Sequence, residues 1–149
     1  DARYDVVDAV MASGFADVAA TVRRCEALMD AVQQPAMKEV CESFTRVANL
    51  AAKAEPGHEL SEKLFQEEEE HALYKAWQNL HAAYESHLHN GQEKEALAQL
   101  AKLKDPVTAY FDSVMVMHED QLVRNNRLTQ LLLIDRDLRR FADFNKLVW

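Results

Sequence analysis

Between Asp120 and Phe141 the chain carries an apolar face too wide for a helix lying on a surface, and this stretch constrains what the remainder can build. At 100° per residue, Val123, Leu128, Leu131, Leu132, Ile134, Leu138 and Phe141 fill roughly half of the helical wheel, against the ~100° stripe of an ordinary amphipathic helix. A helix beginning near Glu119 or Asp120 and reaching about Phe141 is therefore expected at the centre, with the others laid around it. Its remaining face holds Asn125, Asn126, Thr129, Arg136 and Arg140, while Arg127 falls inside the apolar arc. A guanidinium there requires a carboxylate partner, because an unpaired buried charge is very costly. Arg127 is accordingly read as half of a structural ion pair.

The rest of the chain repeats the helical rhythm. Only 3 Gly and 3 Pro in 149 residues leave too few turns for a strand-rich fold and favour a few long helices. Residues 4–11 form a short amphipathic helix with Val6, Val7, Val10 and Met11 inward, ended by Ser13 and Gly14. Asp17 is placed to cap a second helix with the stripe Val18, Val22, Cys25, Met29, Val32. Pro35 suits the first turn of a third, reaching about Ala54, with Met37, Val40, Phe44, Val47 and Ala51 inward and Glu42, Arg46, Asn49 and Lys53 outward. After the break at Glu55, Pro56 and Gly57, the pattern resumes near Ser61. A fourth helix over about 67–89 turns Leu73, Trp77, Leu80, Tyr84 and Leu88 to the core and stops at Asn90 and Gly91. Its first turn holds Glu67 to Glu70, where the helix dipole favours negative charge. A fifth helix follows through Leu97, Leu100 and Leu103, and Asp105 is placed to cap a sixth from Pro106, with Val107, Tyr110, Phe111 and Val114 inward. The expected fold is all-α, a single helical bundle of about six to seven helices spanning residues 1–149 as one domain, a length that buries roughly 68–70% of its unfolded surface.

Charge and cysteine usage narrow the setting. With 25 acidic against 17 basic residues and a net charge of −8, the average surface repels a phosphate backbone, so any contact with nucleic acid must be local. Residues 121–149 reverse the sign, with six basic and three acidic side chains. Cys25 and Cys41 lie on or beside apolar stripes and read as buried free thiols of a reducing compartment. No apolar run approaches a membrane span and no signal-peptide pattern opens the chain, which suits a soluble, cytoplasmic protein. The chain starts at Asp1 without an initiator Met and enters a helical pattern within a few residues, as expected of a piece of something longer.

Catalytic and metal constellations are missing from the pattern. Glu68 and His71 have the Glu-x-x-His spacing of carboxylate-bridged di-iron bundles, but the second motif that architecture needs would put a glutamate where Tyr84 stands, three before His87. His81 with Glu85, and Glu85 with His89, read as solvated i, i+4 pairs. Met115 and Met117 beside Val116 read as core packing. There is no Gly-rich phosphate loop and no nucleophile elbow, so no catalytic centre, metal site or cofactor is assigned to this chain.

The segments TRVANL, LFQEEEEHALY and YFDSVMVMHEDQLVRNNRLTQLL, followed by RRFADFNKL, resemble the carboxy-terminal part of the bacterial glycyl-tRNA synthetase beta subunit. The FDSVMVM run is the most specific element, since periodicity alone does not demand it. RYDVVDAV and VRRCEALMD extend the resemblance more loosely, so that it covers nearly the whole chain in one order. The resemblance implies a helical anticodon-binding domain of the type named after a DALR-like motif and shared with arginyl-tRNA synthetase. It further implies a beta subunit that engages tRNA(Gly) and assembles with an alpha subunit into a heterotetramer of two alpha and two beta chains. In that family the alpha subunit activates glycine with ATP, so ATP and Mg are expected for the whole enzyme and no bond-making for this piece.

An acidic reader is chemically compatible with that role. Glycine codons begin GG, the anticodon therefore ends in two cytosines, and a cytosine amino group is met by Asp, Glu or an amide oxygen. Unstacked loop bases are recognised by their Watson–Crick edges and by stacking on aromatic or guanidinium planes. Candidate RNA-binding residues are Arg46, Asn49 and Lys53 on the third helix and Arg124, Asn126, Arg136 and Arg140 on the last. Arg and Lys would serve phosphates, and Asn and nearby carboxylates base edges. Alternatively Arg46 pairs with Glu42, Arg136 and Arg140 pair with Asp135 and Asp137, and Asn49 bonds a neighbouring helix end. A competing reading is a helical docking module for the alpha subunit or other domains, without RNA or DNA contact, using an exposed apolar patch to which Phe141, Phe144, Val148 and Trp149 could contribute.

Overall fold

The wide apolar face does form the innermost helix. A computed structural model describes residues 3–149; the opening Asp1, read above as a sign of a longer parent, lies outside them. Seven α-helices follow in order, α1 Tyr4–Met11, α2 Val18–Ala31, α3 Met37–Ala51, α4 Glu68–His89, α5 Glu93–Ala101, α6 Lys104–Ser113 and α7 Gln121–Arg139. Short 3-10 turns stand at Glu62–Leu64 and Phe144–Lys146, and there is no strand among the described residues. Helix α7 packs between α3 and α4, α6 bridges the same two helices, α5 lies against α2 and α4, and α1 closes on α2 and the last 3-10 turn.

Local chemistry sets the helix ends. Asp17 Oδ1 accepts a hydrogen bond from the Ala20 amide at 3.1 Å, and Asp120 Oδ1 one from the Leu122 amide at 2.9 Å, each satisfying a first-turn donor that has no partner within the helix. At the start of α4, Glu67 and Glu70 form a reciprocal capping box. Gly91, at φ +69°, supplies the left-handed residue that ends α4. Helix α6 begins at Lys104, two residues before the expected start at Pro106, and Asp105 caps nothing; its carboxylate lies 3.3 Å from the Lys104 ammonium instead. Pro106 still sits within the first turn, where its missing N–H costs no bond. Helix α3 is shorter than expected at both ends: Pro35 belongs to the turn before it, and the helix stops at Ala51.

Several expected core faces are rotated. On α2 the buried residues are Arg24, Ala27 and Leu28, whereas Val18 and Val22 are exposed. The buried arginine explains the rotation, since its guanidinium donates to the carbonyls of Val10 and Phe141 at 3.2 and 2.8 Å and joins α1, α2 and the end of α7. On α1, Val6, Ala9 and Val10 are buried while Val7 is half-buried and Met11 exposed. Between α6 and α7 the chain is extended, so burial alternates with period two. Val114 and Val116 face inward while Met115 and Met117 are exposed, contrary to their reading as core. Cys41 is buried and Cys25 half-buried, both as free thiols.

Helix α7 is buried beyond its apolar half. Twelve of its nineteen residues are buried, and they include Asn125, Asn126, Arg127, Thr129, Gln130, Asp135 and Asp137. Several of these polar groups tie neighbouring segments to the helix. Arg127 donates to Glu70 Oε1 at 3.0 Å and to the Met115 carbonyl at 2.7 Å, and Gln130 donates to the Glu70 carbonyl at 2.8 Å. Asp137 accepts hydrogen bonds from the Trp77 indole at 2.9 Å and the His81 ring at 2.6 Å, and its carbonyl takes the Tyr84 hydroxyl at 2.7 Å. At the carboxy terminus Phe141, Phe144 and Leu147 cover the core, leaving Val148 and Trp149 exposed.

Candidate nucleic-acid interface

The outward face of α3 holds Arg46 and Asn49, both exposed, with Glu42 one turn before Arg46, and the exposed Lys53 stands in the turn just after the helix. Arg46 does not pair with Glu42. Its guanidinium carbon lies 4.3 Å from the centroid of the Phe111 ring on α6, a cation–π stack at the helix surface. Two grooves flank this stack and share Glu42 and Arg46 as a common wall. One, of about 440 Å³ between α3 and α6, adds Glu39, Ser43, Lys104 and Phe111. The other, of about 420 Å³, adds Asn49, Phe144, Asn145 and Trp149. Asn49 lends its side-chain oxygen to Asn145 at 3.4 Å, a long contact that an incoming donor can displace.

The four candidates on α7 separate into different roles. Asn126 is a correction to the sequence reading: it is 3% exposed, accepts from the Ser61 amide at 2.8 Å and donates to the Ser61 carbonyl at 2.9 Å. Its amide pins the segment between α3 and α4 and has no free edge for a base. Arg124 is half-buried and donates to the His118 carbonyl at 3.1 Å, holding the entry to α7. Arg140 turns toward α4, with Nη1 3.0 Å from Glu85 and 3.6 Å from Asp137, and its guanidinium lies over the Tyr84 ring. Arg136 is exposed and lines a separate groove of about 320 Å³ with residues 55–60, Thr129, Leu132 and Leu133. Asp135, its expected neighbour, pairs with Arg139 at 2.7 Å.

Among the described residues Arg46, Lys53, Arg124 and Arg136 are thus the candidate cations without a carboxylate partner, and of these Arg124 is half-buried and spent on the His118 carbonyl. Arg46 belongs to α3 and Lys53 to the turn just after it, Arg136 to α7, and the groove that Arg136 lines shares no residue with the two beside Arg46.

Sequence reasoning passed over two features. Phe111 was assigned to the core, yet its half-exposed ring carries the Arg46 stack; only the contact between α3 and α6 brings the two together. Along α4, Tyr74 and Trp77 stack at 6.0 Å and 17°, Trp77 meets His81 at 4.8 Å, and Phe65 meets both His71 and Tyr74 edge-on. The i, i+3, i+7 spacing of Tyr74, Trp77 and His81 was the available signal. Among the described residues no cluster of three or more His, Cys, Asp or Glu could hold a metal ion, and no helix is long and apolar enough to cross a membrane.

Comparison with known proteins adds to this geometry. Residues 40–142 match the profile of the DALR anticodon binding domain. The chain is also similar to proteins named glycine–tRNA ligase beta subunit. It is 34% identical over 147 residues to that of Halalkalibacterium halodurans, which covers 99% of this chain and 21% of the relative. It is 41% identical over 143 residues to that of Trichlorobacter lovleyi, and 38% identical over 143 residues to that of Desulforudis audaxviator, each covering 96% of this chain and 21% of the relative. The chain therefore spans about one fifth of the length of the curated relatives it matches.

Proposed function

Because this chain belongs to the DALR anticodon-binding domain family, we propose that it recognises the anticodon region of tRNA(Gly) within a glycyl-tRNA synthetase. It would thereby support the ATP-dependent attachment of glycine. The observation that carries the reading is the match over residues 40–142, a range that contains the whole of the Arg46–Phe111 stack. The exposed α3 face gives that match a chemical counterpart. Arg46 and Lys53 offer cations to phosphate or to base acceptors, Glu42 and Asn49 offer oxygens to base amino groups, and Phe111 and Trp149 offer rings. These groups are concentrated in one place, as a chain of net charge −8 requires.

In this reading residues 1–149 act as one recognition domain of a longer, cytoplasmic beta subunit. That subunit assembles with an alpha subunit in a heterotetramer of two alpha and two beta chains. ATP and Mg serve the whole enzyme in this reading. Both belong elsewhere in the assembly, and the role of this chain is to bind and orient RNA.

A docking role is the second reading, supported by Tyr4, Phe15, Val18, Met115 and Leu122, all more than 60% exposed. Binding measured against salt separates the two. A glycine anticodon stem-loop should bind this chain with an affinity that falls as salt rises and should outcompete a copy with its two cytosines changed to uracil. Equal binding of both RNAs, or capture of the alpha subunit with no RNA bound at low salt, would overturn the anticodon reading.

A further inference from the structure

Within the groove between α3 and α6 the charges are not evenly satisfied. Lys104 on α6 places its ammonium 3.4 Å from Glu39 and 3.3 Å from Asp105. Glu39, the first carboxylate of the groove, therefore has its cation. Glu42, one turn further along α3, has neither an ion-pair nor a hydrogen-bond partner among the described residues, although Arg46 stands four residues away on the same face. An i, i+4 Glu–Arg pair ordinarily closes on itself. Here it does not: the Arg46 guanidinium carbon lies over the Phe111 ring, 4.3 Å from its centroid, and the guanidinium makes no ion pair with Glu42.

The result is one acceptor and one planar donor fork side by side at the mouth of a groove with an aromatic wall. A cytosine presents the complementary order along its Watson–Crick edge, with an amino donor at N4 and acceptors at N3 and O2. A uracil reverses the first two positions. Its O4 would face the Glu42 carboxylate, two acceptors with no proton between them. An unpaired polar group of this kind is what gives hydrogen-bonding sites their discrimination.

We propose that Glu42 and Arg46, with the guanidinium braced on Phe111, form the reading edge for a cytosine of a single-stranded RNA loop. Glu42 accepts from N4, and Arg46 donates to N3 or O2. The second groove, on the other side of the same two side chains, receives the adjoining nucleotide beside Asn49 and Trp149. This inference rests on the anticodon reading above and adds to it the residues that would tell cytosine from uracil.

The test is a Glu42→Gln substitution, which keeps the shape but adds an N–H able to donate to uracil O4. Affinities of the chain and of E42Q are measured for a glycine anticodon stem-loop and for two copies, each with one of the cytosines replaced by uracil. The chain should prefer cytosine at one position by about tenfold or more. E42Q should lose most of that preference at that position, mainly by binding the uracil copy better, and keep the preference at the other. Phe111→Leu should weaken binding and lower the cytosine preference at that same position, since without the ring Arg46 is free to close on Glu42. If the chain discriminates at both positions and E42Q leaves both ratios unchanged, the reading edge lies elsewhere while the anticodon reading stands. If the unsubstituted chain binds all three RNAs equally, the anticodon reading fails and this inference with it.

Discussion

Arg127 on α7 and Glu70 on α4 face each other at 3.0 Å with 2% and 0% of their side chains exposed. Each is held by more than the other. Arg127 also donates to the Met115 carbonyl, and Glu70 Oε1 accepts from the amides of Gln66 and Glu67 at 3.0 and 3.1 Å. A single ion pair thus fastens the first turn of α4, the linker before α7 and α7 itself.

Breaking that pair by one partner leaves an uncompensated buried charge. Arg127→Met or Glu70→Met alone should each cost about 3–5 kcal/mol, read from denaturant midpoints, whereas the double substitution should recover much of the loss. Additive losses would show that the two residues act independently.

Asn126 is expected to hold a segment in place rather than to touch RNA. Asn126→Ala removes both bonds to Ser61 and should destabilise by about 1–3 kcal/mol. Hydrogen exchange at the Ser61 amide should quicken, with RNA affinity at fixed salt unchanged once the folded fraction is accounted for. A specific loss of RNA binding without faster exchange would return Asn126 to the interface.

Lys53 and Arg136 separate the two exposed surfaces. If α3 and the turn after it bear the phosphates, Lys53→Gln should lower the slope of log K against log salt by about 0.7 for one contact to a single-stranded backbone. The cytosine preference should be kept, and Arg136→Gln should leave the slope as it was. The opposite pattern would move the interface to the groove beside residues 55–60.

The Cys41 thiol is buried, and desolvation pushes it from an ordinary 9.0 up to about 12. Its folded value is raised, so the neutral thiol costs nothing below about pH 9, and the full stability is present there. Between pH 9 and about 12 the unfolded chain releases a proton that the folded chain keeps, so stability falls as pH rises. Cys41→Ala should flatten the alkaline arm of a stability–pH curve, and at pH 8 a thiol reagent should label the half-buried Cys25 first. Equal labelling rates in the native protein would contradict the burial.

By itself the sequence determined the all-α class, the bounds of α1, α4 and α7 to within about two residues, and the need for a carboxylate opposite Arg127. These follow from local causes, namely apolar spacing, Asp17 and Asp120 at helix starts, Gly91 at a helix end, and the cost of a lone buried charge. The family resemblance was also legible there, because strings such as FDSVMVM are properties of the chain and not of its packing.

Only the tertiary structure decided which faces are buried and which polar groups are free. Val18 and Val22 lost the core side of α2 to Arg24, because a guanidinium that finds carbonyls from two other segments can be buried at little cost. Asn126 left the candidate interface because Ser61, sixty-five residues away, uses both ends of its amide. Arg46 and Phe111, equally distant in sequence, became one feature only where α3 meets α6. Periodicity reports how a residue sits on its own helix; partners drawn from other helices are fixed by packing, and it is those partners that leave Glu42 unpaired beside a braced guanidinium.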